Sequence, residues 1–218
     1  MRKLRMRANE TKGILITFCG LDGCGKTTMI NRLKADLQKQ GPVFLTKQPT
    51  DFVRESAIFR TYMDSPDPSA YDYRSLSLLA ASDRIQHTNK VIGPAMESGN
   101  LVISDRYFYS CLANLRARGF QNDRWIYEIA KSIVKPDLAF FLDVPVEIAV
   151  KRVRSRAAEK DRYIDMELQY KLRKEYIRIC KANGGILIST AEPEDVCYWF
   201  VKQTVERMYH DEQKRNRI

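Results

Sequence analysis

Residues 20–28 read Gly-Leu-Asp-Gly-Cys-Gly-Lys-Thr-Thr, a G-x-x-x-x-G-K-[ST] run whose flanks dictate the local fold. Before it, Ile14-Leu15-Ile16-Thr17-Phe18 is short, apolar and β-branched, as a buried strand is. After it, Met29, Ile30, Leu33 and Leu37 fall at helical spacing. A strand feeding a glycine turn into a helix aims several backbone N–H groups and a helix N-terminus at one point, which makes an anion site. Gly20, Leu21, Asp22, Gly23, Cys24, Gly25, Lys26, Thr27 and Thr28 are therefore the candidate cradle for nucleotide phosphates. The Lys26 ammonium adds a full charge, and the Thr27 hydroxyl is offered to Mg²⁺. A merely structural βα turn would have no need of a lysine after its last glycine. Cys24 reads as a small residue in that turn rather than as a redox switch.

The rest of the chain repeats the strand–helix alternation. Short apolar strands are expected near 14–19, 43–46, 101–104, 138–142 and 186–189. Helices are expected over 26–40, 53–62, 69–97, 122–134, 146–157, 165–182 and 193–210, with Ser65-Pro66-Asp67-Pro68 separating two of them. This is the pattern of an α/β fold with a mostly parallel sheet covered on both faces. Its 218 residues suit one such domain with a sizeable core. The domain spans 13–210, between a basic, solvated tail (1–12) and a charged C-terminal tail (211–218). Ligands in such sheets collect at the carboxyl ends of the strands, so residues just after a strand carry the chemistry.

Thirty-seven basic against 27 acidic residues favour anionic partners, among them nucleotides, nucleic acid and membrane surfaces, without requiring nucleic acid. Five cysteines, an odd number without a C-x-x-C pair, argue against a disulfide framework or zinc site and fit a reducing cytoplasm. No apolar run reaches membrane-spanning length, and the basic N-terminus lacks the apolar segment of a secretory signal.

Three further constellations matter. Leu101-Val102-Ile103 ends in Ser104-Asp105-Arg106-Tyr107, placing Asp105 where it could hold Mg²⁺ or its waters and Arg106 where it could clamp a second phosphate. Alone, the pair could equally close a turn. Arg152 and Arg156 share a helix face, with Arg162 just beyond. Such a run is ordinarily a solvated face, but phosphoryl transfer is stabilised by charge and position, and mobile arginines folding over a site supply both. Arg84, inside Ser82-Asp83-Arg84-Ile85-Gln86-His87, could reach a substrate, or pair with Asp83 at the surface. A phosphate acceptor is already anionic at neutral pH and needs no base, whereas a hydroxyl acceptor would want a carboxylate.

Together these segments resemble the thymidylate kinase family from about Gly13 to Met208. The likeness rests on 20–28, Ala81 to His87, Ser104 to Tyr107 with Ser110 and Ala113, Pro136-Asp137-Leu138 leading to Asp143, and Arg152-x-x-x-Arg156 with Asp161-Arg162. The resemblance implies a P-loop fold with a five-stranded parallel sheet, ATP-Mg²⁺ as donor, a nucleoside monophosphate as acceptor and a homodimer. It puts Asp22, Lys26 and Thr27 at the donor phosphates and metal, Arg106 at the acceptor phosphate, Asp105 between the two, and Arg84 near the acceptor base. It assigns catalytic arginines to a lid at about 152–165, matching Arg152, Arg156 and Arg162. Pro49 and Arg54 stand in its acceptor-phosphate loop. Ala80 replaces a phenylalanine that stacks on the base, and Cys111 and Asn114 replace an amide and a tyrosine at base and sugar. The implied reaction is phosphorylation of dTMP or a related monophosphate, with the altered pocket pointing to a changed acceptor. The alternatives are a kinase for a nucleoside or other small hydroxyl compound, with Asp105 as base, and a non-catalytic nucleotide-binding regulator.

Overall fold

A computed structural model describes the chain except residues 40, 65–69 and 216–218, with backbone alone at 63–64 and 210–215. The separator at 65–68 thus lies outside the described residues. Five strands, β1 (Ile14–Cys19), β2 (Val43–Lys47), β3 (Leu101–Asp105), β4 (Leu138–Asp143) and β5 (Ile186–Ser189), form one parallel sheet in the order β2-β3-β1-β4-β5. β1 and β3 are buried nearly throughout, which is why they read as continuous apolar runs rather than alternating ones. The expected five-stranded parallel α/β architecture is the one found.

Ten helices cover the sheet among the described residues: α1 (Lys26–Leu37), α2 (Asp51–Arg54), α3 (Ala57–Asp64), α4 (Tyr73–His87), α5 (Gly93–Glu97), α6 (Phe108–Ala117), α7 (Trp125–Ile129), α8 (Val146–Arg154), α9 (Met166–Asn183) and α10 (Glu194–Arg215). α1 buries Met29, Ile30, Leu33 and Leu37, the stripe legible in the sequence. Asp72 and Asp165 cap α4 and α9, each accepting a backbone N–H of the first turn. The single helix expected over 69–97 is interrupted by a π turn at Thr88–Ile92. Pro94 has no N–H to return to residue 90, so the ladder widens and Gly93 donates to the Thr88 carbonyl instead. The segment expected at 122–134 is helical only over α7 and one further tight turn at Ala130–Ser132.

Three further departures from the expected elements stand out. α6 was not anticipated as a helix; eight of its ten residues are buried, so no amphipathic stripe betrays it. Nor is the segment 1–12 a solvated tail. Leu4 is buried, its N–H donates to Asn183 Oδ1 at 2.9 Å, and Arg7 pairs with Ile133 and Lys135 through both its backbone groups. At the other end α10 continues to Arg215, past the expected boundary at 210.

Candidate active site

β1 is central, and its register with β3 pairs Phe18 with Asp105. The loop after β1 and the tip of β3 therefore lie side by side at the carboxyl edge of the sheet. β2 pairs Lys47 with the same Asp105, which brings the next loop to the same place.

Lys26 is buried, and in this structure its Nζ donates to the loop's own carbonyls, Leu21 O at 2.7 Å and Gly20 O at 3.3 Å. Cys24 is fully buried, and its Sγ receives a weaker contact from Lys26. Its carbonyl accepts from the Thr190 hydroxyl at 2.9 Å, which ties the phosphate loop to the end of β5. Thr27 is exposed at the start of α1. Cys19, beneath the loop, is a buried thiol that loss of hydration pushes up to about 11.

Arg106 is the only described non-glycine residue with positive φ, at 67°. That left-handed turn at the end of β3 costs on the order of 1–2 kcal/mol, and it throws the guanidinium across the β1 loop. Arg106 donates to Gly20 O at 3.1 Å, to Tyr176 Oη at 3.0 Å and to Asp22 Oδ1. Its own carbonyl is held by the Ser104 hydroxyl at 2.7 Å. Arg162 approaches the other Asp22 oxygen at 3.6 Å. Arg106, followed by burial acting the opposite way and then by Lys26 and Arg162, leaves the Asp22 carboxyl far below the ordinary range.

Asp105 is the counterpart. Among the described residues its buried Oδ1 has no hydrogen-bond partner, and its Oδ2 meets the Lys47 ammonium at 3.9 Å. Arg54 donates from Nε to the Pro49 carbonyl at 2.7 Å. Burial, and then the neighbouring cations, lower both Lys47 and Arg54 from their ordinary values. A site whose cations lower one another's pKa values and whose Asp105 carboxylate is under-paired is suited to receive an anion. Among the described residues no cluster of three His, Cys, Asp or Glu side chains could hold a metal unaided. The orphaned Asp105 Oδ1 and exposed Thr27 fit an ion that arrives with the nucleotide's own oxygens.

Beyond this centre α4 and α6 pack against each other. Arg84 is buried and donates to Ala80 O at 2.7 Å and Tyr107 O at 3.5 Å. Asp83 is buried too, so the two do not form a surface pair; Asp83 instead accepts from the Thr50 N–H at 3.0 Å and from its hydroxyl. Cys111 touches Ser77 at 3.5 Å, and Ala80 is half-buried beside them. Asn114 spends its amide within α6, on Ser110 O, and receives Arg118 on Oδ1 at 2.8 Å. Arg118 lies over the Tyr73 ring, 4.1 Å from its centroid, and a cavity of about 740 Å³ opens beyond.

Lys26, Asp22, Asp105, Arg106 and Arg162 thus converge, with Ser110 joined to Arg106 through Tyr176, whose hydroxyl donates to Ser110 Oγ at 3.1 Å. Arg152 and Arg156 make no contact with Asp22 among the described residues. Arg152 donates to Thr190 O at 3.0 Å, and the Arg156 side chain is exposed. Sequence reading missed Lys47, Asp83, Arg118, Tyr176 and Thr190. Of these only Asp83 carried a signal, its place beside Arg84; the others come to the site through tertiary packing.

The thymidylate kinase family model matches residues 18–197. A probable thymidylate kinase of Thermococcus gammatolerans is 36% identical over 186 residues, 83% of this chain and 89% of that protein. One from Pyrococcus abyssi is 38% identical over 176 residues, covering 78% and 84% respectively. A thymidylate kinase of a Geobacillus species is 32% identical over 193 residues, covering 84% and 91%.

Proposed function

This chain belongs to the thymidylate kinase family, and we propose that it carries out ATP-dependent phosphorylation of dTMP to dTDP with the groups that meet at Asp22 and Asp105. The observation that carries the residue assignment is the reach of Arg106 and Arg162, from β3 and from the lid, to one phosphate-loop carboxylate.

Lys26 leaves the Gly20 and Leu21 carbonyls for the donor phosphates, exchanging neutral acceptors for charged ones. Arg162 is already at the loop; Arg152 and Arg156 need only a movement of the lid segment to join it, adding charge and excluding water. Arg106, with Arg54, holds the acceptor phosphate. Because that phosphate is largely dianionic near neutral pH, no side chain has to take a proton from it. Mg²⁺, held through Thr27 and Asp105 together with phosphate oxygens, supplies charge neutralisation at the donor. The resemblance assigns Arg84, Ser110, Cys111, Asn114 and Ala80 to the acceptor. A homodimer in the cytoplasm belongs to the same proposal, supported by the resemblance and by five buried free thiols.

The test is ADP formation from ATP against each nucleoside monophosphate in ribose and deoxyribose form. Turnover with dTMP is expected. Turnover with thymidine but with no monophosphate would overturn the reading in favour of a hydroxyl kinase.

A further inference from the structure

The basic N-terminal segment takes no part in the site, yet it is built into the fold. It runs beside residues 133–135, anchored by the Arg7 backbone at 2.9 and 2.7 Å and by Leu4 on Asn183. Leu4 is buried and Met6 half-buried, while Lys3, Arg5 and Arg7 are exposed, the period-two alternation of an extended strand. Alternate side chains on such a strand are roughly 6.6 Å apart, so the segment displays a row of cations on an ordered support. Its surroundings extend the charge. Arg7 donates to Asn89 at 2.7 Å, next to exposed Lys90, and its backbone brackets exposed Lys135. The neighbouring carboxylate of Glu128 is shared between Arg2, at 3.8 Å, and Lys131.

We propose that this face, at the end of the sheet opposite the phosphate loop, binds single-stranded nucleic acid through its phosphates. A row of evenly spaced cations suits one strand's repeating charges, and a support already ordered loses little entropy on binding. Insertion into a membrane interface would require apolar side chains beside the cations. Of the large apolar side chains in residues 1–12, Met1 alone is exposed.

The test is fluorescence anisotropy of a labelled thymidine 20-mer between 50 and 200 mM salt. Three phosphate contacts give a log–log slope of about −2, a roughly fifteenfold loss of affinity over that range. The Lys3→Ser/Arg5→Ser variant should flatten the slope by about 1.4, with melting temperature and ATP turnover unchanged. Absence of binding at 50 mM salt, or an unchanged slope in the variant, would overturn the proposal. Displacement of the oligonucleotide by ATP with dTMP would also overturn it, by placing the strand in the nucleotide site. Tighter binding to vesicles of 25% anionic phospholipid than to the oligonucleotide would assign the face to membranes instead.

Discussion

Gly23→Ala separates the geometry of the phosphate loop from its charge. Gly23 sits at φ 81°, and a Cβ built there lies 2.1 Å from the Ala149 carbonyl oxygen and 3.1 Å from Val153 Cγ2. Both neighbours belong to α8, which carries Arg152 three residues beyond Ala149. A normal contact would need a separation of at least about 3 Å, so loop and helix must part by roughly 1 Å. The left-handed backbone adds about 1–2 kcal/mol, and the strained contact a similar amount, for about 3 kcal/mol of lost stability. The functional effect is the sharper one. A misplacement of about 1 Å in a positioning element costs about a hundredfold in rate. Gly25→Ala is the control: its φ is 90°, but nothing lies nearer than 4.0 Å, so only the backbone cost applies. Gly41→Ala, with nothing within 4 Å and no positive φ, should be neutral or slightly stabilising. Urea unfolding gives the stabilities, and a coupled ADP-release assay gives kcat/KM for ATP. If Gly23→Ala unfolds no more easily than Gly25→Ala and keeps its kcat/KM, the loop is not wedged against α8.

Lys26→Ala and Arg106→Ala should each lower kcat by several orders of magnitude in steady-state assays while the circular dichroism spectrum is retained. Glu175→Ala removes the buried carboxylate bonded to Arg116 at 2.7 Å and should cost about 3 kcal/mol in urea unfolding, because a nearly buried guanidinium keeps the Gln121 carbonyl but loses the carboxylate against its charge. Asp22 titrates far lower folded than unfolded, so its contribution to stability is complete above the unfolded carboxylate value near ~4 and is lost as pH falls below it. In Asp22→Asn, the acid-side decline of the melting temperature should therefore be shallower. Ala80→Phe puts a ring on α4 at the position that the resemblance gives to base stacking and should lower KM for dTMP by about two- to tenfold, with KM for ATP unmoved, in initial-rate measurements.

What was legible in the sequence follows from how locally each feature is determined. The phosphate loop could be read because strand, turn and helix sit within 24 residues and each leaves its own mark, from β-branched run to glycines to helical stripe. Asp105 and Arg106 could be read because a strand end is a local event. α6 could not, since a helix buried on nearly every side has no polar face to give it a period. The N-terminal segment deceived for the opposite reason: its composition is that of a solvated tail, and its two inward apolar side chains, Leu4 and Met6, are too few to stand out among the cations. Arg152, Arg156 and Arg162 could be ranked only once folded. Spacing alone makes them equals, but α8 ends at Arg154, and a turn at Ala157–Glu159 brings Arg162 back toward the phosphate loop. Glu159 holds Arg162 there at 2.8 Å while Arg152 is drawn to Thr190. Among the three arginines it is thus the last, Arg162, that is already paired with the phosphate-loop carboxylate, because the chain has turned back before reaching it.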